Sequence, residues 1–334
     1  MSMFYIHQTV CVSAQKTNGV IDLDDIQPIK DNKLQAIEPN YDSIPPAMYR
    51  RMGRAVRLAS GAALPLLNSL TFNGIVIGTA NGGLEDCIKF LNQIVDYNEG
   101  KLTPTNFVQS TTNAIASQLA FFSTNKGYNN THVHRGLAFE NAVLDVAMLL
   151  NEFPDNAYLL GGVDEISAYQ YNIESLTDAY KREPVLNTEL YTSKTNGCIP
   201  GDGCAMFAVN KQKTGATAKL KAIATIHTDK EEEVTQYLKH FMEKNVGNNS
   251  LDLFLSGENG DSRYLPYYTA CKKIVPNVNI EGFKHLCGEY ATASSFALWL
   301  ACYKIKSNNL KNVLVYNNFR GKQHSFMLVE SVFQ

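Results

Sequence analysis

Histidines alternate along Thr131-His132-Val133-His134-Arg135-Gly136, and this run gives way to a strongly amphipathic stretch from Ala138 to Leu150. On a strand the two imidazoles share a face. That is the beginning of a metal site, but zinc needs at least a third protein ligand and the sequence places none; interface or surface histidines are the plainer reading. A strand that turns into a helix is also where enzymes mount a nucleophile, because the helix N-terminus favours a thiolate and offers N–H groups to a developing oxyanion. Here the turn carries Gly136, which has no side chain. A second combination is Ser256, Glu289 and His324. A serine hydrolase would need a base within hydrogen-bond reach and an oxyanion hole, whereas buried polar residues that only fill space bond among themselves. Gly78-Thr79-Ala80-Asn81-Gly82-Gly83 lacks the Gly-Lys-Ser/Thr ending of a phosphate loop, so its small residues are expected to permit close helix packing.

The 334 residues are 45% hydrophobic and 19% charged with a net charge of −2. That is a globular composition without the basic excess that nucleic acid or an anionic membrane surface would attract. Seven cysteines at irregular spacings with no CxxC pair give neither a disulfide framework nor structural zinc. Cys87, Cys204 and Cys302 lie in apolar runs and read as core residues, while Cys198 and Cys287 lie near turns. The first residues lack the basic region of a secretory signal. The longest apolar run, Phe296 to Tyr303, is too short to span a bilayer. A cytoplasmic protein without metal or cofactor is expected.

Periodicity supplies the frame. Strands are predicted at Phe4–Val12, Ile75–Ile77, 131–136, 157–167 and 201–212, with helices at about 48–67, 84–95, 107–123 and 138–150 between them. On the 84–95 helix Leu84, Cys87, Ile88, Leu91 and Val95 share one face. The order then repeats in compressed form: a strand from Ala218, a helix led by Glu231-Glu232-Glu233, a strand at 251–257, a helix at 263–274, a buried helix at 291–305 and two closing strands. Alternation at short spacing points to an α/β layered fold. Residues 1–215 and 216–334 read as two copies of one pattern within a single compact unit.

The segments IGTANGGLEDCIKF, LTPTNFVQSTTNAIASQLA, GYNNTHVHRGLAFENAVLDVAMLL, LLGGVDEIS and NGCIPGDGCAMFAV, in this order, closely resemble the elongating β-ketoacyl-ACP synthases. The resemblance runs from about Ile75 to the C-terminus. It implies the thiolase fold, a five-layer α-β-α-β-α sandwich of two pseudo-duplicated halves, and a Cys-His-His centre that condenses acyl units. Each element of that centre is altered. The nucleophile position falls on Gly136, the first histidine on Ser256 and the second on Glu289, although Lys284 and Gly288 of the same segment remain. An acidic residue of active members becomes Tyr264, and the Gly-Phe-Gly-Gly-Thr-Asn turn becomes Phe319-Arg320-Gly321-Lys322-Gln323-His324.

The resemblance therefore implies a catalytically silent subunit like the chain length factors of type II polyketide systems. Such a subunit forms a heterodimer with an active ketosynthase, shapes its acyl pocket and meets acyl chains carried on acyl carrier protein. Trimmed, degenerate members also resemble partner subunits of aryl-polyene and flexirubin-type pigment pathways. By the family's dimer architecture, Cys87, Ile88, Leu91 and Phe107 are expected at the interface and acyl pocket. Arg135 is expected either in the vacant elbow or in a salt link to the partner. Two rivals stay open: an active acyltransferase using Ser256, Glu289, His285 or Cys287, and a structural homodimer.

Overall fold

Strands buried on both faces need cover on two sides, and that need organises this molecule. The computed structural model describes residues 3–19, 21–29, 31–80, 82–247 and 250–333. Strand β1 (Phe4–Val12) is followed by an irregular segment and helices α1 (Pro46–Tyr49) and α2 (Arg54–Leu67). Next come β2 (Gly74–Gly78), α3 (Leu84–Asp96), α4 (Pro104–Gln109), α5 (Ala114–Ser123), β3 (Tyr128–His132), α6 (Ala138–Glu152), β4 (Tyr158–Asp164), α7 (Ala168–Ser175) and β5 (Gly203–Asn210). The chain continues through β6 (Ala218–His227), α8 (Glu231–Asn245), β7 (Leu253–Ser256), α9 (Leu265–Ile274), β8 (Asn279–Gly282) and α10 (Lys284–Cys287). It closes with α11 (Ala293–Asn308), β9 (Asn312–Phe319) and β10 (Gln323–Ser331).

All ten strands hydrogen-bond in the order β3-β2-β4-β5-β1-β6-β10-β9-β7-β8. Read outward from the middle, β1-β5-β4-β2-β3 is mirrored by β6-β10-β9-β7-β8, strand for strand. The pairing senses match too: the first two contacts of each half are antiparallel and the outer two parallel. The halves join through a short antiparallel contact, Phe4 opposite Leu220, Tyr5 opposite Lys219 and Ile6 opposite Ala218.

Alternation along each strand sorts side chains into layers. Ile75, Ile77, Leu159 and Met206 face outward onto Leu58, Leu66, Ile115 and Leu119 of α2 and α5. Val76, Leu160 and Phe207 face inward onto α6 and α11. In the second half Phe254, Leu314, Tyr316 and Phe326 meet α8 and α9, while Leu255, Val313, Val315 and Met327 face the central helices. The order helix, sheet, helix, sheet, helix is the thiolase-like five-layer sandwich. Because α11 lies between two sheets, it is buried on nearly every side, from Ala293 to Cys302. Among the described residues no helix is long and apolar enough to cross a membrane.

Several element boundaries differ from the sequence expectation. The helix expected over 48–67 is interrupted after α1, and Gly53 adopts an extended backbone (ψ 162°) as N-cap of α2. The helix expected over 107–123 breaks into α4 and α5 around residues 110–113. The strand expected at 131–136 runs instead from Tyr128 to His132. Helix α7 and the four-residue edge strand β8, partly exposed and without apolar alternation, carry no period for sequence reading to detect.

The central layer supplies the first test. Trp299 of α11 is 2% exposed and packs between Phe296 and Tyr303. Trp299→Ala is expected to cost about 3–5 kcal/mol in a denaturation experiment; a loss below about 1 kcal/mol would show this layer to be loosely packed.

Candidate functional site

The elbow begins where β3 ends. His132 pairs through Nε2 with Asp145 of α6 at 2.7 Å, and Asn130 and Tyr128 also donate to that carboxylate. His134 has left the strand, is exposed, and bonds Asn141 through Nδ1. The two histidines therefore do not act together. Among the described residues no group of three His, Cys, Asp or Glu side chains could hold a metal ion.

Arg135 takes a left-handed backbone (φ 48°) and starts the single turn Arg135–Leu137 that feeds α6. Its side chain is exposed, so the expectation that it fills the elbow is wrong. The occupant is Phe319, at the end of β9. A Cβ built on Gly136 would lie 2.2 Å from the Phe319 Cβ and 2.4 Å from its Cγ. The Gly136 amide, a donor an acyl-transfer site could aim at an oxyanion, is already bonded to Gln323 Oε1 at 2.9 Å. Gln323 Nε2 in turn reaches the His134 carbonyl at 3.5 Å.

The turn from Phe319 to Gln323 is fixed from several sides. Arg320 (φ 57°) lies over the Phe319 ring and pairs with Glu174 of α7 at 2.6 Å. Gly321 (φ 65°) uses the left-handed region that favours glycine, and a Cβ there would meet the Tyr264 ring at 2.8 Å. One turn into α6, the buried Glu140 carboxyl accepts from Ser325 Oγ at 2.7 Å, and burial pushes its pKa up.

Ser256 ends β7, and its Oγ accepts from the Glu258 amide at 3.4 Å. Glu258 is paired with Lys272. Two residues beyond Ser256 and Gly257, Asn259 donates to Glu289 at 2.8 Å, and Lys284 Nζ donates to the other Glu289 oxygen at 2.8 Å. Lys284 has no exposed side-chain surface and Glu289 has 9%. Gly288 is retained for a steric reason: at φ 74° a Cβ would sit 2.5 Å from Gly201 Cα. Gly257 packs against Tyr316 and Asn317, just before Phe319. The fold thus sets an aromatic ring from the end of β9 against Gly136, pairs Ser256 beside β9, and holds Glu289 in a buried ion pair reached through Asn259.

The serine hydrolase set is not assembled. His324 is fully buried, and its nitrogens are committed to Tyr316 Oη (3.0 Å) and the Thr228 carbonyl (3.1 Å). Burial pushes its pKa down to about 4, so the imidazole is neutral. His285 bonds Tyr191 through Nδ1 and is pushed down to about 4 by burial. It lines a groove of about 400 Å³ with Asp22, Glu281, Tyr303 and Lys304, whose lining includes none of Gly136, Ser256 or Glu289. Cys287 is buried and its thiol is pushed up to about 12 by that burial, the reverse of an activated nucleophile. Cys204 and Cys302 lie in the core, but Cys87 is only half-buried, which corrects its core reading.

The family model described as the N-terminal domain of beta-ketoacyl synthases matches residues 26–245. This chain belongs to the beta-ketoacyl synthase family. Similar solved structures include "the ishigamide ketosynthase/chain length factor", with a TM-score of 0.78, 16% identity, and coverage of 99% of each chain. A beta-ketoacyl synthase from Burkholderia phymatum STM815 gives 0.79 and 12%, with all of each chain covered. A ketosynthase in complex with its chain length factor from Xenorhabdus doucetiae gives 0.76 and 11%, covering 99% of this chain and 98% of that one. At these identities the likeness is one of fold. No curated protein matches the sequence.

The turn that feeds α6 carries no side-chain nucleophile at Gly136. Sequence reading singled out Gly136, Ser256, Glu289 and Lys284 but not the roles of Phe319, Gln323 and Asn259. The available signal was paired: no side chain at 136, and an aromatic at 319 in the facing turn. Two outcomes follow from the packing. Gly136→Cys should destabilise the chain by roughly 1–3 kcal/mol through overpacking against Phe319, and the added change Phe319→Ala should recover much of that loss; a single variant as stable as the parent would contradict the contact. Glu289→Ala, which leaves the Lys284 ammonium buried without its carboxylate, should cost about 3–5 kcal/mol in the same measurement.

Proposed function

We propose that this chain is a non-catalytic, chain length factor type subunit that pairs with an active ketosynthase and shapes the pocket in which an acyl chain grows. The observation that carries this reading is the elbow: Gly136 supplies no nucleophile, and Phe319 fills the space where one would stand. Chain elongation needs a thiolate to hold the acyl group as a thioester. In this reading the thiolate comes from the partner, and the substrate arrives on acyl carrier protein in the cytoplasm. The pathway is of polyketide or fatty-acid type, with aryl-polyene or flexirubin-type pigments as the narrower assignment. Residues 1–215 and 216–334 act as two halves of one unit.

The surface around the elbow suits a partner. Strand β3 is a sheet edge with one side unpaired. Elsewhere on the surface, Leu91 of α3 is 53% exposed and Phe107 of α4 is 58% exposed, while Cys87 and Ile88 are half-buried. The tilted rings of Phe90 and Phe107 meet at 5.3 Å and tie the two helices together. In this assignment Cys87, Ile88, Leu91, Phe107 and Arg135 meet the ketosynthase and bound its acyl pocket. Solved structures of similar fold include a ketosynthase with its chain length factor, which supports the reading.

The purified chain should form no acyl thioester and release no carbon dioxide from malonyl-ACP, and should gain a stable stoichiometric complex when co-expressed with a ketosynthase carrying an intact Cys-His-His set. Thioester formation by the chain alone would return it to the enzymes; solubility and self-pairing without a ketosynthase would favour a scaffold. In the reconstituted pair, Ile88→Ala or Leu91→Ala should lengthen the product, and an unchanged length distribution would count against these residues as pocket walls.

A further inference from the structure

Asp164 is the last residue of β4 and has no exposed surface. Its Oδ1 accepts from Thr79 Oγ1 at 3.1 Å and from the Ala80 amide at 2.8 Å, both just past the end of β2. Its Oδ2 accepts from the Thr292 amide at 3.0 Å and from Thr292 Oγ1 at 2.8 Å. Thr292 is the N-cap of α11. One buried carboxylate thus joins the exit of β2 to the entrance of the central helix, and these donors offset its lost hydration.

The contact continues into α3. Thr79 Oγ1, while donating to Asp164, accepts from the Gly82 amide at 2.9 Å. Gly83 follows as the N-cap of α3 at φ 81°, and its carbonyl accepts from the Cys87 amide at 2.9 Å. Neither glycine has room for a side chain. A Cβ on Gly82 would lie 2.5 Å from Ile115 Cδ1 of α5, and one on Gly83 would lie 2.7 Å from the Gln109 carbonyl oxygen of α4. The start of α3 is therefore pinned between the carboxylate and two neighbouring helices. Beyond it the helix has no fully buried residue. Phe90 meets Phe107 of α4, and Asn92 donates to Tyr169 of α7 at 3.3 Å. With so little burial to seat the helix, the setting of its first turn decides where Ile88 and Leu91 stand.

We infer that Asp164 and Thr79 are positioning residues for α3, acting from the interior through the hydrogen bonds that lead to Gly82 and Gly83. Both are wholly buried. The arrangement requires a carboxylate, because each Asp164 oxygen faces a backbone N–H, of Ala80 on one side and Thr292 on the other. Asp164→Asn would turn an amide donor towards one of them, so only one of the two junctions could be kept. The Thr79 hydroxyl is needed as donor and acceptor at once; serine supplies both functions, and valine, of the same shape, supplies neither. The consequence for product length rests on the pairing proposed above: a mis-set α3 would move the pocket wall at Ile88 and Leu91 with no change in the residues assigned to that wall.

Hydrogen–deuterium exchange of the full chain, without a partner, tests the seating independently of that pairing. In the parent the Ala80 and Gly82 amides should exchange at least roughly tenfold more slowly than their intrinsic rates, although both lie outside any helix or strand. Thr79→Val should speed exchange of the α3 amides by roughly threefold to tenfold, as expected for a lost buried hydrogen bond, with α8 unchanged as internal reference. Thr79→Ser should restore the parent rates. Thr292→Val, which removes a hydroxyl from the far carboxylate oxygen only, should leave α3 as in the parent. Unprotected Ala80 and Gly82 amides in the parent would overturn the inference. So would a Thr79→Val variant whose α3 exchanges like the parent's, or only in step with α8. Should Thr79→Val fail to fold, Thr79→Ala replaces it with the same expectations, and the parent amides still decide. In the reconstituted pair, Thr79→Val should shift the product-length distribution and Thr79→Ser should not. Faster α3 exchange with unchanged products would count against the pocket-wall reading and leave the seating in place.

Discussion

The constraint on which the rest of the molecule depends is the closed central layer, in which α6 and α11 lie between two sheets. Both helices must enter that layer at fixed points. For α6 the point of entrance is the elbow: Gly78 at the end of β2 lies so close to Ala138 that a Cβ would meet its backbone at 2.6 Å. Phe139, Ala142, Val143 and Val146 follow directly into the core. A shift of the turn by one residue would rotate the helix by about 100° and expose that face. The geometry of the elbow is therefore fixed by packing.

The same constraint explains how Gly136 and the Lys284–Glu289 pair are packed. Protein interiors are close-packed, and a vacated site lined by polar groups is costly unless it is filled or paired. Here both requirements are met locally. The space beside Gly136 is filled by the aromatic ring of Phe319, and its amide is bonded to Gln323. Lys284, which would otherwise be an isolated buried cation, has Glu289 and stays neutralised. These residues are part of the interior between the two halves.

Outside that interior the chain is less self-sufficient. Helices α3 and α4 and the edge strand β3 present apolar or unpaired groups. Stability is not uniform across a fold, and surfaces that bind are drawn from its less stable parts.

Sequence by itself determined the layered α/β class, the repeat of one strand-and-helix order, and that position 136 carries no side-chain nucleophile. Those features are written in periodicities and in residue types that local chemistry can read: glycine cannot be a nucleophile, and a run buried on both faces must be a covered strand. It did not determine what packs against Gly136 and caps its amide. Phe319 lies 183 positions from Gly136 and Gln323 lies 187, and no local signal ties them to it. Nor could it separate His132, paired with Asp145, from His134, released into the turn, or tell that Cys87 stands half-exposed on a helix the core does not cover. Such outcomes depend on which faces meet after the sheets have paired, and the tertiary structure alone decides that.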